Sequence, residues 1–221
     1  MKLKRGTEKL KKGFDKVWFL LWKDNSFKGW IFSLIILFVF IKFIFFPVLS
    51  LATGTVLPLA IVESCSMYHQ GNFFSGFDSW FERHASKYES MEISVNEFRN
   101  FVFRRGFSKG DILFIIKANP DTVKIGDIIL FNSGSKGTPV IHRIVKIEEK
   151  DGKRIFSTIG DNNNQMLTPN NNPAGVDERE IMGEQLVGKA VLRITPWFGW
   201  VKLVFFEGLR PESERGLCRE N

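Results

Sequence analysis

The chain has 221 residues, of which 44% are hydrophobic and 25% are charged. This composition excludes a disordered or collagen-like chain, and two cysteines exclude a disulfide scaffold and the zinc modules built from several cysteines. The net charge of +7 is concentrated in residues 1–28, which hold nine Lys or Arg and three acidic residues. Because the remainder is close to neutral, it lacks the basic face of a typical nucleic-acid-binding domain, and we expect no nucleic-acid partner.

An apolar segment follows this basic tail. Trp30–Phe46 contains a single charged side chain, Lys42. As a helix it would span roughly 25 Å, and with its flanks the segment 29–52 reaches the ~20 residues that a bilayer core requires. The basic residues before it predict a single-pass anchor in the cytoplasmic membrane, with residues 1–28 in the cytoplasm and the rest outside. The alternative is a signal peptide cleaved near residues 50–52, but the apolar run is longer than such peptides usually have.

Residues 53–206 have the pattern of a mainly β domain, which a C-terminal tail, 207–221, follows. Short apolar runs separated by turn signals predict strands at 56–64, 111–117, 127–131, 139–147, 154–159 and 187–194. Residues 71–108 are polar with aromatic residues at helical spacing, which predicts a helical insertion packed on the domain.

Ser66, His142 and Asp161 occur in an order compatible with nucleophile, base and orienting acid. Ser66 follows the first predicted strand, His142 lies within a later strand, and Asp161 directly follows the next one. A serine needs a base to become a nucleophile, and a carboxylate can orient an imidazole base. Many proteins contain such a trio by chance, so the spacing alone is weak support for catalysis.

Five motifs in chain order resemble the type I signal peptidases, of the archaeal and endoplasmic-reticulum kind. They correspond to the family's Ser-x-Ser-Met box, its Gly-Asp-Ile-Val-x-Phe strand, its His-Arg box, its Gly-Asp-Asn box, and its closing Gly-Lys strand with a Pro-x-x-Gly turn. The matching residues are Ser64–Met67, Gly126–Phe131, Val140–Ile144, Gly160–Asn163, and Val187–Ala190 with Pro196–Trp200. The resemblance covers residues 56–206 apart from 70–108, and it implies a coiled β-sheet catalytic domain behind an N-terminal transmembrane helix.

The resemblance implies a role for each matching residue. Ser66 corresponds to the nucleophile and His142 to the general base, where bacterial relatives use lysine. Ser64 corresponds to the serine whose hydroxyl helps to form the oxyanion hole, with the backbone N–H of Ser66 as the second donor. Asp161 fills the position of the orienting acid, and Asp177 is the alternative acid if the long loop returns to the site. No cofactor and no metal ion are implied.

The implied function is a membrane-bound serine endopeptidase that removes signal peptides from exported preproteins, with the substrate bound as an added strand. Signal peptides, the lipid bilayer and the secretion translocon are the expected partners. The alternatives are a non-catalytic, membrane-tethered peptide-binding module of the same fold, and a protease that cleaves its own linker at Ser50–Ala52.

Three further features carry expectations of their own. His69 stands where the family commonly has proline, and we expect it to be solvated in a polar turn; the alternative is a catalytic role as a second imidazole near the nucleophile. Cys65 and Cys218 are expected to be unpaired, because Cys218 lies in a polar tail. The aromatic segment Trp197–Phe206 is expected either to seat the domain on the bilayer or, at Phe205 and Phe206, to close the core of the sheet.

Overall fold

The computed structural model describes residues 11–220 except positions 12, 14, 16, 20, 21, 25, 72–75, 133–138, 173 and 174, and except the side chain of residue 213. The chain forms two compact units, Met1–Ala52 and Thr53–Asn221. The predicted cytoplasmic tail falls mostly outside the described residues. The division into a tail, an anchor, a domain with an insertion and a second tail stays a prediction.

In its described part, the first unit contains a long apolar helix whose last residue, Thr53, is the first residue of the second unit. It consists of α1 (Phe27–Phe40), a π-helical turn (Ile41–Phe45) and α2 (Phe46–Thr53). Ser26 begins the helix, since its side chain accepts a hydrogen bond from the Gly29 amide. The wide turn precedes Pro47, which has no N–H to donate to the helical ladder. The combined helix, Phe27–Thr53, has 27 residues and is long and apolar enough to cross a membrane, as a single-pass anchor would be.

The second unit is built on a curled antiparallel sheet of seven strands that forms a half-barrel. Its spatial order is β1-β2-β7-β3-β4-β5-β6. The strands are β1 (Leu59–Ile61), β2 (Ile112–Ile116), β3 (Ile128–Phe131), β4 (Val140–Lys150), β5 (Lys153–Ile159), β6 (Ile181–Met182) and β7 (Leu186–Thr195). Every residue of β3 is buried, because it lies in the middle of the sheet and is covered on both faces.

The predicted insertion folds as two helices, α3 (Phe77–Glu89) and α4 (Val95–Arg99). Ser94 and Glu97 form a capping box that begins α4. Aromatic and aliphatic residues of both helices pack against β4 and β5. This cluster contains Trp80, Phe81, Tyr88, Ile93, Phe98, Val145 and Ile159. The insertion therefore covers one face of the sheet next to the ends of β4 and β5.

The sheet differs from the prediction at its edges. The first strand covers only Leu59–Ile61, because Pro58 precedes it and has no N–H for the ladder. The two residues of β6 are too few to give a periodic pattern, and the sequence therefore did not indicate this strand. The last helix, α5 (Trp200–Glu207), buries Leu203 but leaves Phe205 and Phe206 79% and 50% exposed. The expectation that these two rings close the core is therefore wrong.

Candidate active site

His142 is held within the sheet and bound to a buried glutamate. It lies on β4 opposite Ile129 of β3, and only 3% of its surface is exposed. Its Nδ1 is hydrogen bonded to Oε1 of Glu178. Among the described residues, Nε2 has no hydrogen-bond partner. Nε2 is therefore the ring nitrogen that is left for a reacting group.

Glu178 is fixed by donors from two sides. Its Oε1 accepts a hydrogen bond of 2.7 Å from the hydroxyl of Thr158 on β5, and its Oε2 accepts one of 2.7 Å from the Leu167 amide. Its backbone carbonyl accepts a further hydrogen bond from the Thr158 amide. A buried carboxylate that is held in this way can fix the tautomer and orientation of an imidazole and stabilise its protonated form.

Ser64 and Ser66 lie in a short turn after β1, with their hydroxyl oxygens 3.0 Å apart. Asn162, in the loop after β5, holds this turn by two hydrogen bonds. Its backbone amide donates to the Ser66 carbonyl at 2.7 Å, and its side chain donates to the Cys65 carbonyl at 3.1 Å. The loop at the end of β5 therefore holds this turn in place by hydrogen bonds.

Gly160 directly follows β5 and lies against this turn. Ile159, the last residue of β5, pairs with Arg143, so Gly160 directly follows the residue that pairs with the neighbour of His142. A Cβ atom at Gly160 would approach the Ser66 carbonyl oxygen to 2.7 Å, so the backbones are in close contact. The described contacts contain no direct hydrogen bond from Ser66 to His142. Such bonds are often long before substrate binds.

Asp161 faces a different set of partners. Its carboxylate makes a two-pronged ion pair with Arg143, at 2.9 Å from Nε and 2.6 Å from Nη2. It also accepts hydrogen bonds of 2.9 Å from the Tyr88 hydroxyl and from Nε2 of His69. The structure thus does not bring Asp161 to His142. Asp177 does not reach it either, because its carboxylate pairs with Arg179 on the surface.

The cluster around Asp161 holds a permanent charge pair. Burial by itself would raise the pKa of Asp161, but the Arg143 guanidinium and the His69 hydrogen bond hold it well below its usual range. Burial and the neighbouring carboxylate raise the pKa of the Tyr88 hydroxyl. Burial also lowers the pKa of Lys87 to about 8, and its ammonium donates to the carbonyls of Asp161 and Asn163. These contacts tie the insertion to the loop after β5.

The expectation of a solvated His69 is wrong. Only 1% of the residue is exposed, and its ring stacks on Trp80 with 3.4 Å between centroids. Burial lowers the pKa of His69 although the Asp161 carboxylate acts in the opposite direction. The helical insertion supplies Trp80 and therefore encloses a side chain that appears polar and exposed in the sequence.

The expectation of two unpaired cysteines is also wrong. Cys65 and Cys218 form a disulfide with 5.3 Å between their Cα atoms. Their pairing could not be predicted from spacing, since 153 positions separate the two residues. The tail folds back on the domain, so its polar composition does not keep it away from the turn that contains Ser66.

Sequence reasoning missed Glu178 as the partner of His142. The signal that could have found it is the alternation of inward and outward side chains that an extended segment before β6 would have. Asp177 points to the surface, so its neighbour Glu178 points inward and is fully buried. Among the described residues, no group of three or more His, Cys, Asp or Glu side chains could hold a metal ion.

Comparison with known proteins identifies relatives through one segment of the chain. No family model matches. The signal peptidase complex catalytic subunit SEC11C of Homo sapiens is 40% identical over 58 residues, which are 26% of this chain and 30% of that protein. The signal peptidase complex catalytic subunits SEC11 of Eremothecium gossypii and Scheffersomyces stipitis are 38% and 33% identical over 58 and 57 residues. These matches again cover 26% of this chain, and 34% of each fungal protein.

The chain therefore spans about a third of the length of the curated relatives that it matches. Through this segment it is homologous to the catalytic subunits of the signal peptidase complex.

Proposed function

We propose that this chain is a membrane-anchored serine endopeptidase that removes signal peptides from exported preproteins. Ser66 is the nucleophile, His142 is the general base and Glu178 is the acid that orients it. The observation that carries the proposal is the buried His142–Glu178 pair, which leaves Nε2 of His142 without a partner among the described residues. The homology to signal peptidase catalytic subunits supports the choice of substrate.

The proposed chemistry uses the two hydroxyls of the turn differently. Nε2 of His142 takes the proton of Ser66 while its oxygen attacks the carbonyl carbon of the scissile bond. The Ser64 hydroxyl and the Ser66 backbone N–H donate to the oxygen that becomes negatively charged. The imidazolium then protonates the leaving amine, and water hydrolyses the acyl-enzyme by the same route. Asp161 takes no part in these reaction steps and forms the ion pair with Arg143.

The substrate is proposed to bind as an added strand. β1 is at the edge of the sheet and ends five positions before Ser66, so one of its backbone edges has no strand neighbour in the described structure. An extended peptide that pairs with such an edge gains backbone hydrogen bonds along its length. A scissile bond a few residues beyond a lipid-embedded segment would then reach Ser66 close to the bilayer.

The alternative of self-cleavage at Ser50–Ala52 is less well supported. These residues lie within α2, and a helical peptide bond must unwind before a strand-binding protease can cut it. The apolar run within Phe27–Thr53 is longer than the roughly 7–15 apolar residues of a typical signal peptide, which favours an anchor over a cleaved signal peptide.

Cleavage of a labelled preprotein in detergent tests the proposal. We expect wild-type protein to release the signal peptide, and Ser66→Ala and His142→Ala each to abolish release while the domain stays folded. The double variant is expected to be no worse than either single variant, since the two groups act as a unit. Ser86→Ala, an exposed serine on α3, is the matched control and should retain full activity. Binding of preprotein without cleavage by wild type would favour the non-catalytic peptide-binding module.

A further inference from the structure

The C-terminal tail is joined to the turn that carries Ser66. Ser64 and Ser66 have their hydroxyls together on one side of this turn. The side chain between them, Cys65, forms the disulfide to Cys218. The covalent link is therefore made by the residue directly before Ser66.

Asn162 makes a second link between the same two segments. One amide group donates to the Cys65 carbonyl at 3.1 Å and to the Arg219 carbonyl at 2.9 Å. The backbone amide of Asn162 holds the Ser66 carbonyl as well. The turn, the loop after β5 and the tail thus meet at one side chain.

The tail itself is anchored on both sides of Cys218. Lys109 is buried, and its ammonium donates to the Glu207 carboxylate and to the Glu214 carbonyl. On the other side, Glu220 forms an ion pair of 2.7 Å with Arg83 of α3. The tail is therefore a fixed part of the domain and can resist movement of the turn.

From this arrangement we infer that the Cys65–Cys218 disulfide and the tail position the Ser66 turn for catalysis, so that the peptidase needs an oxidised tail for full turnover. This inference rests on the proposed function. The two cysteines are positioning residues, because their sulfur atoms are bonded to each other and can act on Ser66 only through the backbone of the turn. Displacement of a reacting group by about 1 Å can reduce a rate about 10²-fold. Release of the tail removes the restraint that opposes such a displacement.

The test compares Cys218→Ala and Cys65→Ala with wild type in the detergent cleavage assay. We expect kcat to fall roughly 10- to 100-fold in both variants while KM stays nearly unchanged. Wild type treated with a reductant should lose activity to the same extent and regain it on reoxidation, whereas Cys218→Ala should not respond to the reductant. Leu217→Ala, which changes an exposed neighbour in the tail, is the matched control and should behave as wild type.

Amide hydrogen exchange of residues 64–69 gives a readout that is independent of activity. Exchange should become faster in Cys218→Ala, while β3, β4 and β5 keep their protection. Unchanged kcat, an effect on KM alone, or unchanged exchange would each overturn the positioning role. If wild type shows no Ser66-dependent cleavage, the proposed function fails, and the exchange measurement still decides whether the tail restrains the turn.

Discussion

Glu178 and Asp177 are adjacent carboxylates with opposite environments. Glu178 is buried and is hydrogen bonded to His142 and Thr158, whereas Asp177 forms an ion pair with Arg179 at the surface. We predict that Glu178→Gln lowers kcat on the order of 10⁴-fold, because an amide would favour the wrong tautomer of the imidazole. Asp177→Asn is the matched control and should change kcat little. Single-turnover cleavage of a labelled preprotein measures both, and a larger loss in Asp177→Asn would reject Glu178 as the orienting acid.

Asp161 is predicted to contribute to stability rather than to proton transfer. Removing one partner of a buried ion pair typically costs about 3–5 kcal/mol, so Asp161→Asn should have a lower free energy of unfolding at pH 7. The pKa of Asp161 in the folded state is below the ordinary value of 3.8. Its contribution is therefore fully present above about pH 4 and is lost as the pH falls below that value.

Urea unfolding at several pH values measures this contribution. Between pH 5 and pH 3 the free energy of unfolding should fall more steeply for wild type than for Asp161→Asn. Loss of turnover in a variant whose stability matches that of wild type would instead return Asp161 to the catalytic machinery.

The loop after β5 is the element that brings the site together, and Gly160 is its closest contact. An added Cβ would meet the backbone oxygen of Ser66 at 2.7 Å, so one of the two segments must move. We predict that Gly160→Ala lowers kcat about 10²-fold, because the Ser66 turn is displaced relative to His142. Gly208→Ala, where a Cβ meets no atom within 4 Å, is the control. Wild-type kcat in Gly160→Ala would show that the turn can shift without consequence.

The strands and the helical insertion were predictable because their hydrophobic patterns are local. β2, β3, β5 and β7 lie where the apolar runs indicated, and the aromatic residues of 71–108 pack on the sheet as expected. The partner of His142 was not predictable in the same way. Glu178 reaches it only because the chain returns beside β5 after an Asn-rich loop, and no periodicity reports such a return. The disulfide could not be predicted for the same reason, since its pairing depends on the path of the tail.

The molecule as a whole joins an apolar helix to a disulfide-bonded domain. Disulfides persist in oxidising compartments, which agrees with the prediction that Ser66 and the tail lie outside the cytoplasm. We predict that a protease added outside sealed cells or right-side-out vesicles digests the region after Ala52 and leaves residues 1–28 protected. Immunoblotting with tags at each end measures this. Protection of residues 60–206 would invert the topology and remove the proposed function.

The Cys65–Cys218 bond also determines how the domain responds to mechanical tension. It encloses β2 to β7 in a covalent ring and leaves residues 54–64, which include β1, between the apolar helix and the ring. When the chain is pulled between the apolar helix and Cys218, the part outside the ring can reach a length of only roughly 40 Å, whereas the same span of the reduced chain can reach roughly 570 Å. Tension transmitted through the helix can therefore detach β1, but it cannot unravel the strands that hold His142 and Glu178.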